Sequence, residues 1–191
     1  MRLFVALDVP EDVRAAISGL VAKLRPTCQT ARWVRIEGAH VTLKFIGEAS
    51  SEKADEIKAA LASVLFPASV PIHFTGVGFF PNDRRPRVLW AGIEAGPELS
   101  ALAAAVDKAM SSIGIAPETR AFSPHLTLAR FDPHGDRGIL DALHSAIAKA
   151  VPFDFGDAIQ KEFHLYLSVL KRGGAEYTRL ATFYSEGSNP R

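Results

Sequence analysis

Two short stretches carry most of the chemistry this chain can offer. Residues 39–45 read AHVTLKF and residues 124–130 read PHLTLAR, each setting a histidine, an apolar residue, a threonine and a leucine in the same order. On a strand, residues two apart share a face and lie about 6.5–7 Å apart. His40 and Thr42 therefore point one way, and Val41, Leu43 and Phe45 are expected to point into a core. His125 and Thr127 repeat the arrangement against Leu126 and Leu128. A lone histidine on a half-buried strand is ordinarily structural. With six histidines and eight threonines in 191 residues, however, chance repetition of the pattern is expected only about once or twice in a thousand such chains.

Two imidazoles suit a reaction that needs one acid and one base near neutral pH, because histidine ionises at about 6.5. Displacement at phosphorus is such a reaction. The attacking oxygen loses a proton while the leaving oxygen, on the far side of the phosphorus, gains one. An imidazole on each side meets both needs, each typically supplying about 10²–10⁴-fold. Threonine hydroxyls can donate to the non-bridging oxygens, where charge builds in the transition state. The scheme requires no metal and no cofactor.

The elements that would position these groups read as follows. RLFVALDV alternates as a strand, and Pro10 suits the first turn of a helix over about 10–25, with Val13, Ile17, Leu20, Val21 and Leu24 at helical spacing. RWVRI and HVTLKFIG form two strands broken at Glu37-Gly38. Residues 50–65 predict a helix with Ala54, Ile57, Leu61, Val64 and Leu65 on one stripe. VPIHFTGVGFF and RVLWAGIE are strands flanking the turn PNDRRP, and a helix over about 97–112 stops at Gly114. A strand at 124–131, a helix near 136–149, and strands near 152–157, 161–170 and 176–184 follow, the last two joined by the turn KRGGAE. This order predicts α+β with antiparallel sheets. The 85-residue offset between the motifs (125 − 40) suggests a duplication that gave two similar lobes.

Composition narrows the partners. The formal net charge is +1, so no strong overall field favours a long duplex or a membrane, although a few basic side chains could grip one phosphate. Cys28 is the single cysteine, which rules out an internal disulfide and fits a reducing compartment. The apolar stretch at the N-terminus is too short for a signal peptide, and no run approaches the roughly 20 residues of a membrane span. The expectation is a cytoplasmic, single-domain protein over 1–191.

The paired HVTL and HLTL motifs resemble the signature of the two-histidine phosphoesterase superfamily. RLFVALDVP, FFPNDRRPRVLW, FSPHLTLAR and LYLSVLKRGGAEYTRLATF are similar, in order, to its bacterial branch, the RNA 2′,3′-cyclic phosphodiesterases or 2′-5′ RNA ligases. The resemblance implies a bilobal α+β fold, with two pseudo-symmetric antiparallel sheets facing a central cleft, helices packed outside, and one H-x-T-x motif per lobe (40–43 and 125–128). It implies metal-independent hydrolysis of a 2′,3′-cyclic phosphate to a 2′-phosphate on RNA ends, tRNA fragments among them, or on nucleotides. His40 would be the proton donor to the departing 3′ oxygen and His125 the proton acceptor from water, with Thr42 and Thr127 holding the phosphate. The residues alone do not tell acid from base. Run backwards, the same site would join a cyclic end to a 5′-hydroxyl without ATP. No obligate protein partner is implied.

Several neighbours could support the site. Arg130 matches a basic residue of the family and is a candidate phosphate ligand, but strict alternation puts it opposite His125 unless the strand bulges. Lys44 has the parity of His40 and Thr42, and an exposed strand-end lysine is the plainer reading. Arg84, Arg85 and Arg87 could reach RNA backbone or could simply be solvated turn residues. Phe80 and Trp90 could stack on a base or belong to the core. His73, His134, His144 and His164 lack the threonine partner and read as structural or surface. Asp132, His134 and Asp136 alternate as metal ligands might, but Pro133 and Gly135 make the segment a turn in which Asp is common. Two rival functions follow: a module that binds an RNA or nucleotide phosphate without turning it over, and a metal-dependent phosphatase built on that turn.

Overall fold

Alternating burial shapes some of the strands, the first strand is buried on both faces, and period-3.6 burial builds the helices, in the order the sequence predicts. The computed structural model describes residues 1–66, 69–132, 137–171 and 174–185. Its strands are β1 (Arg2–Asp8), β2 (Arg32–Trp33), β3 (His40–Glu48), β4 (Val70–Phe80), β5 (Val88–Ala95), β6 (His125–Arg130), β7 (Asp154–Gln160), β8 (Glu162–Lys171) and β9 (Gly174–Tyr184). Its α-helices are α1 (Glu11–Leu24), α2 (Ser51–Ala62), α3 (Pro97–Ser112) and α4 (Arg137–Lys149). The expected stripe of α1 is buried in full, and Glu11 and Asp12 place negative charge at its N-terminus, where the helix dipole favours it. The Ser50 hydroxyl accepts from the Lys53 amide at 3.2 Å and caps α2. α3 has Pro97 in its first turn and is followed by Gly114, whose φ of 84° is the left-handed conformation that ends helices.

All pairings are antiparallel, in two sheets ordered β3-β1-β8-β9 and β2-β6-β5-β4-β7. The α+β architecture is therefore as expected. Helices α1, α2 and α3 pack on the sheets and α4 packs on α1. One continuous apolar core runs through Val5 and Leu7 of β1, Val41 of β3, Leu126 and Leu128 of β6, and Leu165 of β8. The motif strands β3 and β6 belong to different sheets, yet they approach one another where the sheets meet.

Three local expectations fail. RWVRI gives only the two-residue β2, which pairs with β6 rather than lying beside β3, because a 3-10 turn at Ile36–Gly38 redirects the chain. α2 stops at Ala62, where the Ser63 and Val64 amides donate to Ala60 and Leu61 in a tightened last turn, leaving Leu65 77% exposed. The strand expected at 152–157 runs instead over Asp154–Gln160. Residues 133–136, which hold His134 and Asp136 of the metal reading, lie outside the described residues. So do 172–173 of the KRGGAE turn.

Candidate active site

Each H-x-T motif occupies the start of a strand and shows the same break in alternation. In the β1–β3 ladder, Ala6 faces Thr42 but Val5 faces Lys44, so Leu43 is an extra residue. In the β5–β6 ladder, Trp90 faces Thr127 but Leu89 faces Ala129, so Leu128 is extra. These are β-bulges, which shift the residues beyond them to the other face. HVTLKF and HLTLAR accordingly share one burial pattern: half-buried histidine and threonine, three buried positions, and an exposed sixth residue.

The bulges correct three expectations. Lys44 is not on the histidine face: its side chain is 4% exposed, pairs with Asp107 of α3 at 2.5 Å and donates to the Ala116 carbonyl at 2.7 Å. Burial alone would raise the Asp107 pKa, but the Lys44 ammonium and the Glu118 amide outweigh it and hold the carboxyl below its ordinary value. Phe45 is not in the core; it is 61% exposed, with its ring 6.3 Å from that of Phe4. Arg130 does not oppose His125. The extra residue returns it, exposed, to the His125–Thr127 face.

Both imidazoles are anchored the same way. His40 Nδ1 lies 2.8 Å from the Gly38 carbonyl and His125 Nδ1 lies 2.8 Å from the Ser123 carbonyl. A carbonyl only accepts, so each Nδ1 carries the proton and each Nε2 is left for chemistry. An aromatic ring braces each histidine: Phe4 at 4.5 Å and Tyr177 at 5.0 Å for His40, Phe80 at 4.9 Å for His125. Burial lowers the pKa of His40 below its ordinary value, with the Gly38 carbonyl and Asp8 pulling against it.

Phe80 and Trp90 are half-buried on the motif face, with ring centroids 5.3 Å apart. The indole lies flat over Gly78, where any Cβ would collide with it, and a Cβ at Gly92, opposite His125, would strike the Thr75 carbonyl. Trp90 Nε1 is buried without a hydrogen-bond partner. Arg84, Arg85 and Arg87 are exposed in and beside the turn between β4 and β5. The Arg87 carbonyl accepts from the Phe131 amide, so Arg87 sits one position out of step with the Val88–Arg130 row.

A polar cluster that sequence reading missed lies beside His40. Asp8 faces His40 across β1 and β3, and accepts hydrogen bonds from the Tyr166 hydroxyl and the Arg179 guanidinium. Burial, with Asp8 as acceptor, pushes the Tyr166 phenol up to about 12, so it stays a donor. His164, read as structural or surface, is wholly buried behind this group. Its Nδ1 is 3.0 Å from the Thr182 hydroxyl, and its Nε2 lies 3.6 Å from Asp8 and 3.5 Å from Glu162. Burial lowers its pKa despite those carboxylates. The only signal available was an aspartate closing the first strand, which becomes informative once β1 and β3 are known to pair.

His73 and His144 fall as expected, and His134 lies outside the described residues. His73 lies on the surface against Asp157 at 2.8 Å, beside a shallow depression of about 530 Å³, and His144 packs edge-on to Phe79. Among the described residues no His, Cys, Asp and Glu group could hold a metal ion. No helix among them is long and apolar enough to cross a membrane.

The model of the LigT-like phosphoesterase family matches residues 7–90 and again 93–175. This chain is a member of that family. An RNA 2′,3′-cyclic phosphodiesterase of Archaeoglobus fulgidus is 32% identical to this phosphoesterase over 96% of the chain and 99% of the relative. A protein of the same name from Thermotoga maritima is 31% identical over 98% of the chain and 97% of the relative. The crystal structure of TT0787 from Thermus thermophilus superimposes with a TM-score of 0.81 at 29% identity, covering 99% of this chain and 100% of that one. The structure of E. coli LigT complexed with 3′-AMP gives 0.78 at 27% identity, covering 97% and 98%.

Proposed function

We propose that this LigT-like phosphoesterase hydrolyses the 2′,3′-cyclic phosphate of RNA ends or nucleotides to a 2′-phosphate, using its two histidines as acid and base. The observation that carries the reading is the matched pair of imidazoles, each with Nδ1 tied to the carbonyl two residues before it and Nε2 left open. The relatives named as RNA 2′,3′-cyclic phosphodiesterases and the nucleotide complex of E. coli LigT support the substrate class. The two matches to the family model and the shared burial pattern support a tandem duplication that left one motif per lobe.

In this reading, Nε2 of His125 takes a proton from water as its oxygen attacks phosphorus. The P–O3′ bond breaks on the far side, and Nε2 of His40 delivers a proton to the departing oxygen. Thr42, Thr127 and the exposed guanidinium of Arg130 donate to the non-bridging oxygens, where charge develops. With a 5′-hydroxyl in place of water, the same groups in the same roles join a cyclic end to that hydroxyl.

The test is hydrolysis of a 2′,3′-cyclic nucleotide, in excess EDTA, with the product resolved as 2′- or 3′-phosphate. Turnover to the 2′-phosphate is expected to persist under chelation. His40→Ala and His125→Ala are each expected to lose about 10²–10⁴-fold in kcat. Unchanged turnover in either variant would remove the two-histidine mechanism. Abolition by EDTA would favour a metal-dependent reaction.

A further inference from the structure

We propose that Arg32, which extends the basic row beyond Arg130 and the reacting phosphate, forms a subsite for the phosphate backbone of a second RNA strand, the one whose 5′-hydroxyl replaces water as nucleophile. The inference rests on the acid and base roles given above. In-line displacement fixes the sides: the departing 3′ oxygen belongs to the ribose of the cyclic end, so that nucleoside lies with the acid, His40. The nucleophile enters on the opposite side, with the base, His125.

The two sides are furnished differently. Around His40, Tyr177 packs edge-on at 5.0 Å and Phe45 is exposed at the sixth position of the motif, both open to a ribose and base, whereas Phe4 is buried; beside His125 the ring of Phe80 is half-buried. At the equivalent position beside His125 stands Arg130, directly opposite Arg32 of the edge strand β2. Both arginines are exposed, and neither has a carboxylate partner among the described residues. Directly opposed like charges on one sheet face repel. By contrast, the arginine of the other lobe, Arg179, is paired with Asp8. A row of two guanidiniums with no carboxylate partner among the described residues is a receptor for phosphate oxygens.

The other end of the same face is closed to a polyanion. Glu94, His73 and Asp157 form one row across β5, β4 and β7, two positions beyond Gly92 and His125. A strand whose 5′ end reaches His125 can therefore run toward the arginines and not toward the carboxylates. The joining step balances without a co-reactant: the 5′ oxygen bonds to phosphorus and its proton goes to His125. P–O3′ breaks, and the 3′ oxygen takes the proton of His40, leaving a 2′-5′ linkage.

Arg32 is exposed on an edge strand and tolerates replacement, so Arg32→Gln, Arg32→Glu and Arg32→Lys can be compared with the wild type. All receive one donor, an RNA oligonucleotide ending in a 2′,3′-cyclic phosphate, with water alone or with excess 5′-hydroxyl oligonucleotide. Hydrolysis is expected to stay within about twofold in every variant. Joining is expected to fall about fivefold in Arg32→Gln and further in Arg32→Glu, to recover in Arg32→Lys, and to lose roughly 0.7 from its log–log salt slope. Cleavage of 2′-5′-linked RNA, the same step reversed, is expected to follow the same order. Hydrolysis falling in step with joining would place Arg32 on the donor strand, and unchanged joining in Arg32→Glu would remove the subsite. A wild type that hydrolyses cyclic ends but neither joins nor cleaves 2′-5′ RNA would overturn this proposal alone; one that hydrolyses nothing would overturn the function it rests on.

Discussion

His40 is held neutral by its surroundings before any substrate arrives. Burial lowers its pKa, and the two influences that pull it back up are the Gly38 carbonyl and the Asp8 carboxylate. In its proposed role as proton donor His40 must nonetheless be charged, so Asp8, pinned by Tyr166 and Arg179, helps keep a protonated fraction available. The pH profile of kcat/KM reports ionisations of the free enzyme. With His40 as acid, its deprotonation sets the alkaline limb. Asp8→Asn removes one of the two raising influences and leaves the Gly38 carbonyl in place, so that limb is expected to move to lower pH while the acid limb stays. Movement of the acid limb instead would exchange the roles of the two histidines. This measurement decides what the residues alone left open.

At the scale of elements, one extra residue in each motif strand decides which side chains share the histidine face. The sequence made the motifs visible because His-x-Thr keeps strand parity, and the stripes of α1 and α3 were equally plain because helical spacing survives in local sequence. The bulges were not legible: Leu43 and Leu128 look like any apolar strand residue, and only the partner strands β1 and β5 reveal that they are surplus. Hence Lys44, Phe45 and Arg130 were all read on the wrong side by strict alternation. Asp8 and Arg32 were missed for the same kind of reason, since their significance lies in cross-strand partners remote in sequence. The bulge in β3 also creates a structural anchor, turning Lys44 under the sheet to Asp107 and the Ala116 carbonyl, and so tying the motif strand to α3. Removing one member of a buried pair is costly, but Asp107 keeps 26% side-chain exposure and can be partly resolvated. Lys44→Met is therefore expected to lose about 2 kcal/mol of stability in urea titrations, against a change within about 0.5 kcal/mol for the exposed Arg85→Gln. Equal stabilities would mean the anchor contributes nothing.

Across the whole molecule, buried histidines link the fold to pH in a direction that can be worked out. His164 and His40 both have folded-state pKa values below 6.5, because burial disfavours the imidazolium. Between the lowered value and 6.5 the unfolded chain binds more protons than the folded one, so stability rises with pH through that window. Above 6.5 the penalty is gone; below the lowered pKa it is fully present. His73 has the opposite sign: its hydrogen bond to Asp157 raises its pKa, giving stability that is present below 6.5 and lost as pH rises through the raised value. It lies at the surface, where solvent screens the pair, so the buried groups dominate. Asp107, with its pKa held below 3.8, loses its contribution only at lower pH and does not enter the window. Unfolding free energy measured in urea is thus expected to fall as pH is lowered from 7 to 5. His164→Gln, which retains a hydrogen-bonding head toward Thr182 but cannot ionise, is expected to show a shallower fall whatever its stability at pH 7. Parallel curves for the two proteins would mean that His164 takes up its proton in the folded state as readily as in the unfolded chain, and that burial does not hold it neutral.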